Sequence, residues 1–324
     1  MSNTTQVHIV SYDMLVKKDH PYRKILTLLD FEKLCQPLIK KTFYANYAKG
    51  YGIVNLFKML FIQFLENLSD RELEKYLQEN TAGKFFCNVA LTDKTPDHSV
   101  FGKARKRIGT QLLSQLFNQI TNSLKSQGYI LENLTFVDST ALISKTAVWN
   151  ERDKIIAQKQ KLSNTTISKV AADPQAKLGC KGKDKFFYGY KQHTSVDMES
   201  GIIHKVAITP GNKSDGKSVK HILPSKGAVY GDKGYCGSES IQTIQAKQCT
   251  PKIIKRNNMK NKDYKEDAKI SKLRMPFERV FSKLPKRVRY RGIAKNQFSA
   301  FMYALVHNIK RLLVLKAPPL ILNS

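Results

Sequence analysis

Apolar positions in the first 130 residues recur at helical intervals. Ile53 to Leu65 is apolar at nearly every position, interrupted by Lys58 and Gln63, and predicts a buried helix too short to cross a bilayer. Ser69-Asp70-Arg71-Glu72 has the form of a capping box, Ser69 at the N-cap and Glu72 at N3, and Leu73, Tyr76 and Leu77 carry that helix on. Thr95-Pro96 is a second start signal, N-cap followed by proline at N1. The helix it opens closes in Arg105-Lys106-Arg107-Ile108 and stops at Gly109. From about Gln111, Leu112, Leu113, Leu116, Phe117, Ile120 and Leu124 share one face of a further helix, which ends at Gly128.

The period changes at Leu134. Leu134 to Asp138 is a short apolar run closing on an acid, and Ala228 to Asp232 repeats that pattern. Between them Phe187–Val196 and His204–Thr209 alternate as strands, and the turn at Gly201 makes them an antiparallel hairpin. A loop from Pro210 to Ser214 leads to a helix running to Leu223, with Ser214 or Asp215 as its cap. Ser238–Gln245 reads as helix, Thr250–Ile254 as a last strand, and Phe298, Phe301, Met302, Leu305, Val306, Ile309, Leu312 and Leu313 as the packed face of a final helix. The expected organisation is a helical N-terminal domain over 1–130 and an α/β domain over 131–316. The latter has a mixed five-stranded sheet flanked by helices, in the element order of an RNase H-like fold, and a tail follows at 317–324. Residues 141–186 are polar and basic and read as a flexible loop or insertion.

Charge narrows the function. Lys and Arg number 55 against 26 Asp and Glu, a formal +29, and a polyphosphate partner is the simplest account of that excess. Residues 251–295 alone hold 16 cations and 4 acids, one of them Glu278. Five scattered cysteines without a C-x-x-C pair support neither a zinc site nor a disulfide framework, and they fit a reducing compartment. The N-terminus lacks the basic region and apolar core of a signal peptide, so a cytoplasmic protein with no membrane association is expected.

Asp138 and Asp232 each end an apolar strand. If those strands are adjacent and parallel, both carboxylates leave the sheet at one edge, where hard divalent cations take oxygen ligands. Either acid alone reads more simply as a turn residue or cap; the pair, in so basic a chain, points to phosphodiester chemistry. Glu278 has apolar neighbours in Phe277, Val280 and Phe281, while its spacing from Arg274 also suits an intrahelical ion pair. Candidate DNA contacts are Arg105, Lys106, Arg107, Lys191, His193, Lys233, Arg274, Lys283 and Lys286. Lys191 and His193 could meet phosphate, though a half-buried strand histidine is as readily structural. Lys233 would act as a point charge, and Arg274 as a clamp or an orienter of Glu278. Trp149, the only tryptophan, would anchor the polar insertion or stack on an unpaired base.

Several of these segments occur in an order that resembles the IS5-family insertion-sequence transposases. They are Asn67-Leu68-Ser69-Asp70-Arg71-Glu72-Leu73-Glu74, Pro96-Asp97-His98-Ser99-Val100-Phe101, Val137-Asp138-Ser139-Thr140 and Gly189-Tyr190-Lys191-Gln192-His193. Thr209-Pro210-Gly211-Asn212, Tyr230-Gly231-Asp232-Lys233-Gly234-Tyr235 and Arg274-x-x-x-Glu278 complete the set, which spans about residues 50 to 310. The resemblance implies a DDE catalytic core of RNase H-like fold with Asp138, Asp232 and Glu278 as its acids. These would hold two Mg²⁺ ions, for which Mn²⁺ would substitute. It implies double-stranded DNA partners (terminal inverted repeats and a target), metal-dependent strand cleavage, and joining of 3′-hydroxyl ends to that target. It further implies a homodimer or higher oligomer in the synaptic complex and a prokaryotic, nucleoid-associated location. The chain departs from the related Tyr-x-x-Arg-x-x-x-Glu-x-x-x-x-x-x-Lys signature at Ser271 and Pro285, with Lys283 and Lys286 beside the latter. A nuclease using the same acids without joining, and a non-catalytic DNA-binding regulator, are the alternatives; an RNA-binding protein would be expected to show an aromatic-rich RNP signature.

Overall fold

The computed structural model describes residues 10–44, 50–144, 165, 167, 171–181, 185–259, 262–282 and 284–322. Its contacts divide the chain into two compact units, Met1–Ser123 with Ile309–Ser324, and Leu124–Asn308.

The first unit is helical: α1 (Tyr12–Leu15), α2 (Pro21–Leu28), α3 (Phe31–Leu34), α4 (Gln36–Tyr44), α5 (Ile53–Leu65), α6 (Asp70–Glu79), α7 (Thr81–Phe86) and most of α8 (His98–Ser126). The continuous apolar run of α5 is buried along Phe57 to Phe64, and Phe31, Phe61 and Phe86 meet with ring centroids 5.4–5.9 Å apart. The capping box is present, with Ser69 Oγ accepting from Glu72 N and Glu72 accepting from Ser69 N. The second start signal is displaced. α8 begins at His98 rather than at Pro96, and Asp97 accepts from Ser99 N there. At Gly109 φ is +70°, so the helix breaks where the glycine was expected to end it.

The second unit is built on β1 (Leu134–Ile143), β2 (Lys177–Lys181), β3 (Lys185–Asp197), β4 (Ile203–Pro210), β5 (Ala228–Gly231) and β6 (Thr250–Ile253). Its helices are α9 (Asp215–Ser218), α10 (Ser238–Ala246), α11 (Tyr264–Ser282) and the larger part of α12 (Ile293–Val314). Five strands lie in the order β4-β3-β1-β5-β6, antiparallel up to β1 and parallel from β1 to β6. This mixed sheet flanked by helices is the expected RNase H-like architecture, with one addition. A sixth strand, β2, pairs with the start of β3 along the edge that β4 occupies further on. It lies inside the stretch read from its polar composition as loop. Gly179 suits it: a Cβ there would stand 2.4 Å from Gly211 O and 2.6 Å from Phe187 Cζ, so backbone and aromatic ring pack where a side chain would otherwise be.

Side chains alternate across β1. Val137 faces a core of Val219, Ile222, Val229, Tyr235, Ile244 and Ile253. Phe136 faces the other way, onto Phe277 and Phe281 of α11, with centroids 6.5 and 5.1 Å away. The free edge of β4 is covered by amides from α12. Asn308 takes both backbone groups of Ile203 (2.8 and 2.7 Å), and Gln297 bonds Ile208 N and Val206 O. Capping an edge strand in this way blocks pairing with another chain.

Candidate active site

β1 and β5 are adjacent and parallel, and their register decides the geometry. Leu134 lies opposite Ala228 and Phe136 opposite Tyr230, an offset of 94 positions that Asp138 and Asp232 also share. The two acids therefore stand level where β5 ends. Each carboxylate is fixed by its own backbone: Asp138 Oδ1 accepts from Ser139 N at 2.7 Å and Asp232 Oδ1 from Gly234 N at 2.8 Å. Both line an open cleft of about 1300 Å³.

A third carboxylate in that cleft is Asp215, the first residue of α9. Its expected capping role belongs to Ser214, whose Oγ accepts from Lys217 N. Asp215 instead receives a hydrogen bond from Lys191 Nζ at 3.1 Å, with little of either side chain exposed. Facing the acids are Lys213, Lys233 and Arg256 with Asn212, Asn257 and Asn258. Beneath them Tyr235 is wholly buried. Burial, then the Asp215, Asp138 and Asp232 carboxylates, push its phenol well above the ordinary value. Ser139 is near enough to influence that hydroxyl, yet no hydrogen bond of proper geometry reaches it.

Glu278 is exposed and is not among the residues lining the cleft. Its helical turn is nonetheless fixed, because Phe277 and Phe281 clasp Phe136, which shares a face of β1 with Asp138. The intrahelical ion pair that the spacing allowed does not form: among the described residues no cation pairs with Glu278 within 4.0 Å. Arg274 is buried, its guanidinium 4.8 Å over the Phe136 ring, so it packs against the sheet rather than facing a ligand. Ser271 is exposed on the same helix.

Two more expected DNA contacts are corrected. His193 is fully buried and bonded through Nε2 to Thr209 Oγ1 at 2.8 Å. Arg105 forms a fork with Asp70, at 2.8 and 2.5 Å, and also reaches Gln63, all within the helical unit. Lys106, Lys233 and Lys286 are exposed, and Arg107 is half-buried. Lys191 keeps a place in the cleft, but as the partner of Asp215. Lys283 and Trp149 lie outside the described residues.

Sequence reasoning missed a buried knot at the entry to β1. Burial alone would raise the Glu132 carboxyl. The His204 ring at 3.4 Å, the Lys125 ammonium at 2.8 Å and hydrogen bonds from Ser225 outweigh that and hold it well below the usual carboxylate range. Among the described residues the one trio of metal-ligating type closed within 4.8 Å is Glu74, Asp97 and His98 in the helical unit. There His98 Nδ1 already serves both carboxylates at 2.9 and 3.0 Å. The cleft carboxylates are spaced more widely, as befits a cation that keeps several of its waters.

Residues 145–309, just over half of the chain, match the family model of the transposase DDE domain. The chain belongs to the DDE transposases. Residues 10–107 of this transposase match a second model, a transposase domain (DUF772). Asp232 and Glu278 fall inside the DDE match, while Asp138 precedes it and is tied to Asp232 by strand register. Among solved structures the transposase is similar to a piggyBac transposase in a synaptic complex with hairpin DNA, solved by cryo-EM. The TM-score is 0.42 at 7% identity, covering 96% of this chain and 78% of that one. A likeness at that level says nothing about the site. No helix among the described residues is long and apolar enough to cross a membrane.

Two predictions arise here. A Cβ on Gly234 would stand 2.9 Å from Asp232 Oδ1 and 3.3 Å from Asp215 Oδ2. Gly234→Ala should therefore displace the carboxylates and lower strand cutting by about 10- to 100-fold, since ångström-scale misplacement costs that much. Its melting temperature should stay near wild type; unchanged cutting would show that the carboxylate spacing is unimportant. The second prediction concerns pH. Burial holds His193 down to about 4, with Asp215 opposing and Lys191 and His221 assisting, and buried His204 shifts the same way. A depressed histidine gives its full stability above the unfolded value near 6.5, and loses it as pH falls toward the folded value. Denaturation at pH 5 should show about 2 kcal/mol less stability than at pH 7.5 from His193 alone. His193→Gln should flatten that slope; an equal slope in the variant would refute the assignment.

Proposed function

We propose that this chain is an IS5-family insertion-sequence transposase. It binds the terminal inverted repeats of its element, cuts there in a metal-dependent reaction, and transfers the freed 3′-hydroxyl ends to target DNA. The observation that carries this reading is the level placement of Asp138 and Asp232 on adjacent parallel strands, in a cleft of a DDE-family chain with a formal charge of +29. The ordered motifs from Asn67 to Glu278 support the narrower family.

The residues present suit divalent cations. Asp138 and Asp232 offer hard oxygens from rigid backbone, and an unpartnered buried hydroxyl, Tyr235, lies against them. Mg²⁺, or Mn²⁺ in its place, would supply activation of the attacking oxygen and stabilisation of the leaving oxygen. The protein's own part is positional. Asp138 and Asp232 hold the site at the sheet edge, and Glu278 joins as third acid from α11 once DNA lies in the cleft. Lys213, Lys233 and Arg256 meet the phosphates on the facing wall, where a cation neutralises a backbone charge and displaces a counterion. Lys106 and Arg107 in the helical unit, and Lys286 after α11, extend the basic contact. Two copies or more would be needed to hold both ends of an element, working on the nucleoid in a prokaryotic cytoplasm.

The test is an assay of the purified protein on DNA carrying the element's ends, with and without Mg²⁺, resolved for nicked and joined products. Joined products are expected. Nicking alone would make the chain a nuclease, and salt-sensitive binding with no cutting would make it a regulator.

A further inference from the structure

The family pattern supplies two acids from strand ends and one from a helix. The cleft contains a carboxylate outside that pattern. Asp215 reaches it from the β4–α9 loop, which is tied down by Gly211 N bonding Gly189 O at 2.9 Å and Lys213 N bonding Pro210 O at 3.0 Å. Its two oxygens do different things. Oδ1 takes the Lys191 ammonium at 3.1 Å. Oδ2 turns to Gly234, whose missing side chain leaves a gap shared with Asp232 Oδ1. The two carboxylates are thus no more than about 6 Å apart across that glycine. A second observation points to the same space: the buried Tyr235 hydroxyl has no hydrogen bond and lies under the influence of Asp215, Asp138 and Asp232 together. Lys191 is committed to one oxygen of Asp215, and carboxylates gathered this closely repel one another unless a cation joins them.

We infer that Asp215 is a third carboxylate of the cation site in the DNA-free protein, held in place by Lys191. This rests on the proposed function, because Asp138 and Asp232 are its partners. It assigns Lys191 a positioning role in place of a phosphate contact. It also explains why Gly234 carries no side chain.

The experiment is a calorimetric titration of the full chain, without DNA, with Mn²⁺ and separately with Ca²⁺. It is paired with the melting temperature of each variant in the presence and absence of the ion. Asp215→Asn keeps an oxygen acceptor for Lys191 and should weaken cation affinity about tenfold or more, as Asp138→Asn should, and lose most of the cation-induced rise in melting temperature. Asp215→Glu, with its charge retained, should recover part of the binding. Glu79→Gln, exposed in the helical unit, should change the DNA-free titration less than twofold. Wild-type affinity in Asp215→Asn alongside weakened Asp138→Asn and Asp232→Asn overturns this inference and leaves the proposed function standing. Wild-type affinity in all three overturns both. Equal failure of Asp215→Asn and Asp215→Glu, with cation-free melting several degrees lower, assigns Asp215 to folding and overturns the inference as well.

Discussion

Asp232→Asn is expected to lower metal-dependent strand cutting by at least about 10³-fold, ~4 kcal/mol in the barrier, without harming the fold. The reason for both halves lies in how the side chain is held. Asp232 Oδ1 accepts from Gly234 N and so closes the turn at Lys233–Tyr235, and an asparagine oxygen can accept the same bond. Only the charge is removed. Its removal relieves repulsion with Asp138 and Asp215, so the melting temperature should hold or rise. Asp138→Asn follows the same logic, because Ser139 N can still donate to the amide oxygen. Cutting retained within tenfold in either variant would remove these residues from the chemistry.

What could be read from the sequence follows the range of the forces involved. The capping box at Ser69 and Glu72 and the break at Gly109 are decided within a few residues, and they stand where local rules put them. Asp232 was legible for the same reason, an apolar run that closes where its strand closes; Asp138 is different, because β1 runs on to Ile143 and leaves that acid in mid-strand. That the strands are parallel neighbours was only a condition in the sequence, and the register supplies it. The corrections share a different cause. Arg105 looks like a basic helix end until Asp70, 35 residues earlier, folds against it. Arg274 looks like a DNA clamp until Phe136 comes beneath it. His193 alternates with its neighbours on a strand, but its ring is wholly buried and bonded to Thr209 of β4. β2 was hidden by composition, since its pairing depends on a glycine that admits Phe187. Asp215 could not be told from a cap because Ser214, one residue before it, offers the same sequence signal, and it is Ser214 that caps the helix.

Charge excess shows the same contrast between sum and placement. A formal +29 suits a polyanionic partner and says nothing of where it would lie. In the structure, cations expected to face DNA are divided between exposed positions, such as Lys106 and Lys233, and internal pairs, such as Arg105 with Asp70 and Lys191 with Asp215. The internal ones contribute positioning, so their loss should disturb geometry more than the salt dependence of DNA binding.

Gly227→Ala should destabilise the second unit by ~4 kcal/mol or more. Its φ is +85°, a backbone conformation that costs a residue with a Cβ about 1–2 kcal/mol by itself. The larger part is steric. The added carbon would stand 2.1 Å from Glu132 O and 2.5 Å from Asn133 O. Neither oxygen is free to retreat. Asn133 O accepts from Ala228 N at 2.8 Å, and Glu132 is pinned by Ser225, Lys125 and His204. On the other side Gly227 O accepts from Thr250 N at 2.9 Å, so moving the glycine instead would open β5 from β6. Gly128→Ala is the control: φ there is +77°, but nothing lies within 4 Å, so only the backbone cost of about 1–2 kcal/mol should appear. Denaturation of both variants separates the two contributions, and a Gly227→Ala loss no larger than that of Gly128→Ala would defeat the steric account. The functional consequence follows from register. Gly227 is the residue at which β5 is seated against β1, and that seating sets Asp232 level with Asp138. Whatever Gly227→Ala protein remains folded at low temperature should therefore lose cutting activity per folded molecule, whereas folded Gly128→Ala should cut at the wild-type rate.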